Sequence, residues 1–114
     1  MSTSHTNEKE RRERRARIFK ALGDPTRLQM VELLARCSQM SGTEIAEGTG
    51  ITLALLCHHW TILADAGIIK KWKEGQSAYC SLNWDMLLDC LASLRPSVAA
   101  CAELAELTPG ENTP

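Results

Sequence analysis

The side chains best equipped for chemistry fall in two short runs near the middle of the chain. Leu56, Trp60 and Leu63 repeat at the i, i+4, i+7 spacing of a helix packed against a core. Thr52, Leu53 and Leu55 before them, and His58 and Thr61 between them, face the other way. Hydroxyls and an imidazole there can hydrogen-bond base edges or phosphates, and the two leucines can touch thymine methyl groups. Lys70, Lys71 and Lys73 follow, with Gln76 beside a glycine-centred turn, a set suited to neutralising phosphates. His59 is expected to point inward and make a structural hydrogen bond. The pairing of Cys57 with His58 or His59 is the one nucleophile–base candidate. Residues one or two apart on a helix do not face one another, and no carboxylate stands near to orient the base. No catalytic residue and no cofactor are therefore expected, and a binding module is favoured over an enzyme.

The elements that must position these groups can be read from caps and breakers. At 114 residues the chain has room for one compact domain. A helical pattern over 7–22 ends at Gly23, and Asp24-Pro25 starts the next helix with a capping carboxylate and a proline in the first turn. That helix extends to about Cys37 and is expected to bury Leu28, Val31 and Leu34, with Met30 and Leu33 beside them. A loop over 38–42 leads to a short helix over 43–47, and Gly48-Thr49-Gly50 forces a turn. Thr52 caps the following helix, which Gly67 stops. Strands are expected over 68–73 and 78–82 around Glu74-Gly75-Gln76. Asn83 then caps a last helical region to Leu107, interrupted by Pro96. Residues 1–6 and 108–114 are expected to be disordered and to flank a single domain over 7–107.

The formal net charge of −1 hides an asymmetry: twelve of the thirteen Lys and Arg precede Asn83, whereas five of the fourteen acidic residues follow it. A basic front with an acidic tail is compatible with nucleic acid despite the neutral total. Glu8, Glu10 and Glu13 interleave with the basic residues of 9–20, which fits a solvated helix face as well as a phosphate-facing one. No apolar run approaches the ~20 residues needed to span a bilayer, so a soluble cytoplasmic protein without membrane contact is expected. The five cysteines are odd in number and contain no C-x-x-C pair, a pattern of reduced thiols rather than a disulfide framework. Cys80 is assigned to the core. Cys37 follows Arg36, whose charge favours a thiolate, although a helix C-terminus opposes one.

In order and spacing, Ala21-Leu22-Gly23-Asp24-Pro25-Thr26-Arg27-Leu28, Glu44-Ile45-Ala46, the run from His58 to Ile68, and Glu74-Gly75-Gln76 with Tyr79 and Leu82 resemble the ArsR/SmtB family of bacterial winged-helix repressors. The resemblance covers roughly residues 15–95. It implies a mainly α fold with a small β-hairpin wing, a winged helix-turn-helix that is homodimeric through its first and last helices. It implies two recognition helices in successive major grooves of a palindromic, double-stranded operator, and repression relieved by a small inducer. Leu53, Leu55 and Cys57 depart from the polar residues commoner at those places. Ser41 and Thr43 stand where one class of family metal site has cysteines, and the last helix lacks the histidine of another, so no metal site of either type is expected. A soft-metal site from dispersed cysteines and a protein-docking module remain as alternatives. The inducer expected is an oxidant acting on thiols, with Cys37, Cys57 and Cys101 as the sensing candidates. Packing at the dimer seam is the default for Cys90 and Cys101, and Cys101 is placed where it could meet its symmetry mate. The context of Cys37 resembles a cyanobacterial, peroxide-responsive branch of the family.

Overall fold

The computed structural model of the chain describes the backbone of residues 3–94 and the side chains of residues 7–94. In order it contains α1 (Thr3–Leu22), α2 (Pro25–Ala35), β1 (Met40–Ser41), α3 (Gly42–Thr49), α4 (Leu53–Asp65), β2 (Ile69–Glu74), β3 (Ser77–Leu82) and α5 (Trp84–Ala92). These fall into two compact units, one to Trp84 and one from Asp85 onward. Within the first, α1 packs on α2 and α4, and α3 packs on α2 and α4. The described part of the second unit is α5, with Leu87 and Cys90 buried and Leu88 and Leu91 exposed. Pro96, Cys101 and the 108–114 tail lie outside the described residues.

Most boundaries follow local chemistry. The Asp24 carboxylate caps α2 by accepting from the N–H groups of Thr26 and Arg27 at 2.9 and 3.1 Å. Ser41 and Glu44 close a capping box at the start of α3: the Glu44 N–H donates to Ser41 Oγ, and the Ser41 N–H donates to Glu44 Oε1. Gly50 ends α3 with φ of +74°, a left-handed conformation that spares glycine the penalty of a side chain. Thr52 caps α4, and its Oγ1 accepts from Leu55 N–H at 3.2 Å.

Three expectations need correction. The 38–42 stretch is not all loop. Met40 and Ser41 pair antiparallel with Cys80 and Tyr79, giving a three-stranded sheet of order β1-β3-β2. Two residues carry no readable periodicity, so only the tertiary pairing defines that strand. Leu28 is 45% exposed rather than buried, and the α2 residues that are buried are Met30 and Leu34. At about 100° per residue, Leu28 lies on the far side of the helix from Met30. Finally, α1 begins at Thr3 rather than near residue 7; no proline or glycine interrupts its first turns.

The core of the first unit includes Met30, Leu34, Ile45, Leu56, Leu63, Ile68 and Cys80, all fully buried. Burial of one leucine-sized side chain contributes about 1.5–3 kcal/mol, so Leu56 and Leu63 alone hold α4 firmly in rotation. A polar tie adds to them. His59 on α4 is buried, and the Arg27 guanidinium approaches its Nδ1 at 3.2 Å. Because a guanidinium can only donate, Nδ1 is the acceptor in this contact. Arg27 Nε also donates to the Ala21 carbonyl at 2.6 Å, and Asp24 Oδ2 lies 4.0 Å from His59 Nδ1. One side chain thus joins the end of α1, the start of α2 and the inner face of α4.

Arg27→Ala would leave a buried acceptor unpaired and should lower the unfolding free energy by about 1–3 kcal/mol in urea denaturation. His58→Ala, at the exposed neighbouring position, should change it by less than about 0.5 kcal/mol. Equal losses would show that the Arg27–His59 contact does not hold α4. The Asp24 carboxyl is held below its ordinary value of 3.8, first by the Arg27 backbone N–H and further by the guanidinium charge. A depressed carboxylate contributes fully above its unfolded value and loses that contribution as pH falls through the folded one. Asp24→Asn should therefore lower stability at neutral pH and cost progressively less as pH falls below 3.8, which flattens the acid side of the stability profile.

Candidate nucleic-acid interface

All nine residues singled out for DNA contact are exposed: Thr52, Leu53, Leu55, His58 and Thr61 at α4, and Lys70, Lys71, Lys73 and Gln76 at the wing. Leu56, His59, Trp60 and Leu63 turn inward. The helix nevertheless separates the first set into three directions. His58 and Thr61 share the centre of the outer face with Ala54, at the i, i+4, i+7 spacing. Leu53 and Cys57 lie along one flank of that face, and Leu55 lies on the other. Ala54 carries no hydrogen-bonding group, which is why chemistry read from the sequence passed over it; periodicity alone would have found it.

The hydroxyls of α4 have unequal freedom. Thr52 Oγ1 accepts from a backbone N–H, so its own hydrogen is available to donate outward. Thr61 Oγ1 donates to the Cys57 carbonyl at 2.9 Å and can only accept from a ligand. Thr52 is therefore suited to phosphate or a base acceptor, and Thr61 to a base amino group.

The wing lysines do not form one patch. β2 and β3 pair antiparallel with Ile69 opposite Leu82, Lys71 opposite Cys80 and Lys73 opposite Ala78. Alternation puts Lys71 and Lys73 on the face of Ile69, Cys80 and Leu82, whereas Lys70, Trp72 and Glu74 take the other face. On that second face Trp72 stacks on Tyr79 with ring centroids 6.2 Å apart, and its indole N–H donates to Glu74. Gly75 and Gln76 form the tip between the paired Glu74 and Ser77, and Gly75 has φ of +63°. Gln76 joins Leu53 in a cleft of about 650 Å³ that Thr43 and Glu44 also line. A second cleft, about 390 Å³, brings Cys57, Trp60 and Thr61 of α4 together with Lys71, Trp72 and Lys73 of the wing.

The thiols differ sharply in environment. Cys37, just beyond α2, and Cys57 are exposed, whereas Cys80 and Cys90 are buried. Burial pushes the Cys80 thiol up to about 12, against the opposing charge of Lys71, so it stays protonated at neutral pH. Cys101 lies outside the described residues. Ser41, at the place where some family metal sites have cysteine, spends its hydroxyl on the α3 cap. Among the described residues no group of three or more His, Cys, Asp or Glu could hold a metal ion. Among them, too, no helix is long and apolar enough to cross a membrane.

Comparison with known proteins agrees with this architecture. Residues 24–71 match the model of the bacterial regulatory protein, arsR family. The chain is 38% identical over 74 residues to the transcriptional repressor SdpR of Bacillus subtilis, covering 65% of this chain and 81% of that protein. It is 30% identical over 102 residues to a probable mercury resistance operon repressor of Streptomyces lividans, covering 84% of this chain and 78% of the other. The solution structure of a homodimeric winged helix-turn-helix DNA-binding domain from Mycobacterium bovis superposes with a TM-score of 0.62 at 25% identity. That match covers 76% of this chain and 80% of the other. With its capped helix-turn-helix, its hairpin wing and these relatives, the chain belongs to the arsR family of bacterial transcriptional regulators.

Proposed function

We propose that this chain is a cytoplasmic, sequence-specific repressor that binds a palindromic operator as a homodimer and is released by chemistry at an exposed thiol. The observation that carries the DNA-binding part is the commitment of α4. Its inner stripe is buried, so Thr52, Ala54, His58 and Thr61 are left as an outward surface with the wing cations alongside. A helix held in this way can present its N-terminal turn and outer face to a major groove, while lysines neutralise the flanking phosphates. The homodimeric relative from Mycobacterium bovis supports pairing of two copies, and Leu88 and Leu91 on α5 supply exposed apolar surface for a partner. Exposure of Cys57 on the DNA-reading helix supports thiol control, since modification there would place new bulk at the contact surface.

A metal or metalloid inducer is the second reading, favoured by the name of the Streptomyces lividans relative. The two readings part on one experiment: operator retardation by protein that is reduced, oxidised by peroxide, or loaded with Hg(II) or Cd(II). Thiol control requires release by the oxidant, reversed by dithiothreitol and lost in Cys57→Ser or Cys37→Ser. Release by metal alone would replace it.

For the interface itself, Lys71→Ala should weaken operator and random DNA alike and reduce the slope of log K against log salt by about 1. Lys70→Ala, on the opposite face of the ribbon, should do so less. His58→Ala should weaken operator binding by about 1–3 kcal/mol while leaving random DNA almost unchanged. Fluorescence anisotropy across a salt series measures all three. A Lys71 variant with an unaltered salt slope would remove the wing from the interface.

A further inference from the structure

The cleft between α4 and the wing combines features that DNA contact alone does not require. Cys57 and Thr61, one helical turn apart, form its α4 side with Trp60, and Lys71, Trp72 and Lys73 form the opposite side. Its volume of about 390 Å³ lies in the range of small-ligand sites, and its walls are mainly apolar. Trp60 is only 6% exposed, and its indole N–H meets no acceptor among the described residues. Cys37 is also exposed but does not line this cleft, and Cys80 and Cys90 are buried. One accessible thiol therefore sits beside the Trp60 indole and two ammonium groups, and the other lies outside this cleft.

We propose that this cleft is a covalent site for planar aromatic electrophiles of the quinone class, with Cys57 as the nucleophile. The proposal deepens the thiol-control reading and rests on it for its regulatory consequence. The mainly apolar lining, with Trp60 in it, accepts a flat apolar ring. When the sulfur adds to a ring carbon, negative charge develops on a quinone oxygen, and Lys71 and Lys73 are the groups in the cleft that can stabilise it. In that step the sulfur lone pair forms a carbon–sulfur bond and the ring π electrons move onto oxygen. The thiol proton and the displaced ring proton finish on the two oxygens. The product is an S-aryl hydroquinone: the quinone is its own oxidant, reduced by two electrons, and no further reagent is needed. A small polar oxidant such as peroxide would use none of the aromatic lining. The adduct would fill the space between α4 and the wing, so release of DNA would need no transmitted conformational change.

The full-length reduced protein is treated with naphthoquinone or with iodoacetamide, and the rates of labelling at Cys57 and Cys37 are followed by peptide mass spectrometry. Iodoacetamide reports the ordinary accessibility and reactivity of each thiol. The ratio of Cys57 to Cys37 labelling should be about tenfold higher with naphthoquinone than with iodoacetamide. Lys71→Ala should slow naphthoquinone addition at Cys57 several-fold without slowing iodoacetamide there. The same ratio with both reagents, or faster quinone addition at Cys37, would overturn the site. An operator retardation assay on the labelled protein separates the two claims. Selective Cys57 adducts that still bind operator would uphold the cleft as a quinone site and refute the reading of α4 as the DNA surface.

Discussion

The proposed DNA-binding surface depends on α4 being fixed in rotation about its own axis. Leu56 and Leu63 are buried to within 1% of full exclusion from solvent, Trp60 lies beside them, and His59 is held by Arg27. A slip of one residue would turn the helix by about 100° and bring the buried stripe toward the outside. The apolar contacts make that slip unfavourable, and the Arg27–His59 pairing adds direction, which dispersion alone lacks. Arg27 is in turn oriented by the Ala21 carbonyl and by the helix that Asp24 caps. The run from Ala21 to Arg27 is therefore a structural joint for α4, not a part of the outward surface.

The wing obeys a different periodicity and meets α4 through it. With side chains alternating along β2, Lys71 and Lys73 share the face of Ile69, while Lys70 and Trp72 take the other. The pairing of β3 with the two-residue β1 ties the wing to the start of α3, so the wing is continuous with the helix-turn-helix. The cleft that results is bounded by the same side chains that would approach a duplex. In the proposed mechanism, inducer and DNA therefore compete for one space. In the reversible encounter before the carbon–sulfur bond forms, each weakens the other by the same factor.

The departures from family habit on α4 acquire a geometric meaning. Leu53 and Cys57 occupy one flank, the side of the clefts shared with the wing, while His58 and Thr61 keep hydrogen-bonding groups at the centre of the outer face. The apolar Leu53 and the thiol of Cys57 therefore leave the hydrogen-bonding groups at the centre of the outer face in place. The distribution of thiols follows the same division: Cys80 is protonated in the core, and Cys57 is accessible at the cleft.

Much of this could be read from the chain because the signals are local. Asp24-Pro25, Ser41 with Glu44, Gly50 and Thr52 each satisfy or relax backbone groups within a few residues of themselves, so the helix boundaries follow from short-range hydrogen bonding and φ preference. The stripe of Leu56, Trp60 and Leu63, and the inward turn of His59, follow from the helical period. What depended on tertiary contact was the strand at Met40–Ser41, the exposure of Leu28, the partner of His59, and the meeting of Cys57 with Lys71 and Lys73. Each joins or sorts groups that are distant in sequence or equivalent in composition. Pairing register and helix rotation are chosen by the packed whole, because only there do the competing arrangements differ in buried surface.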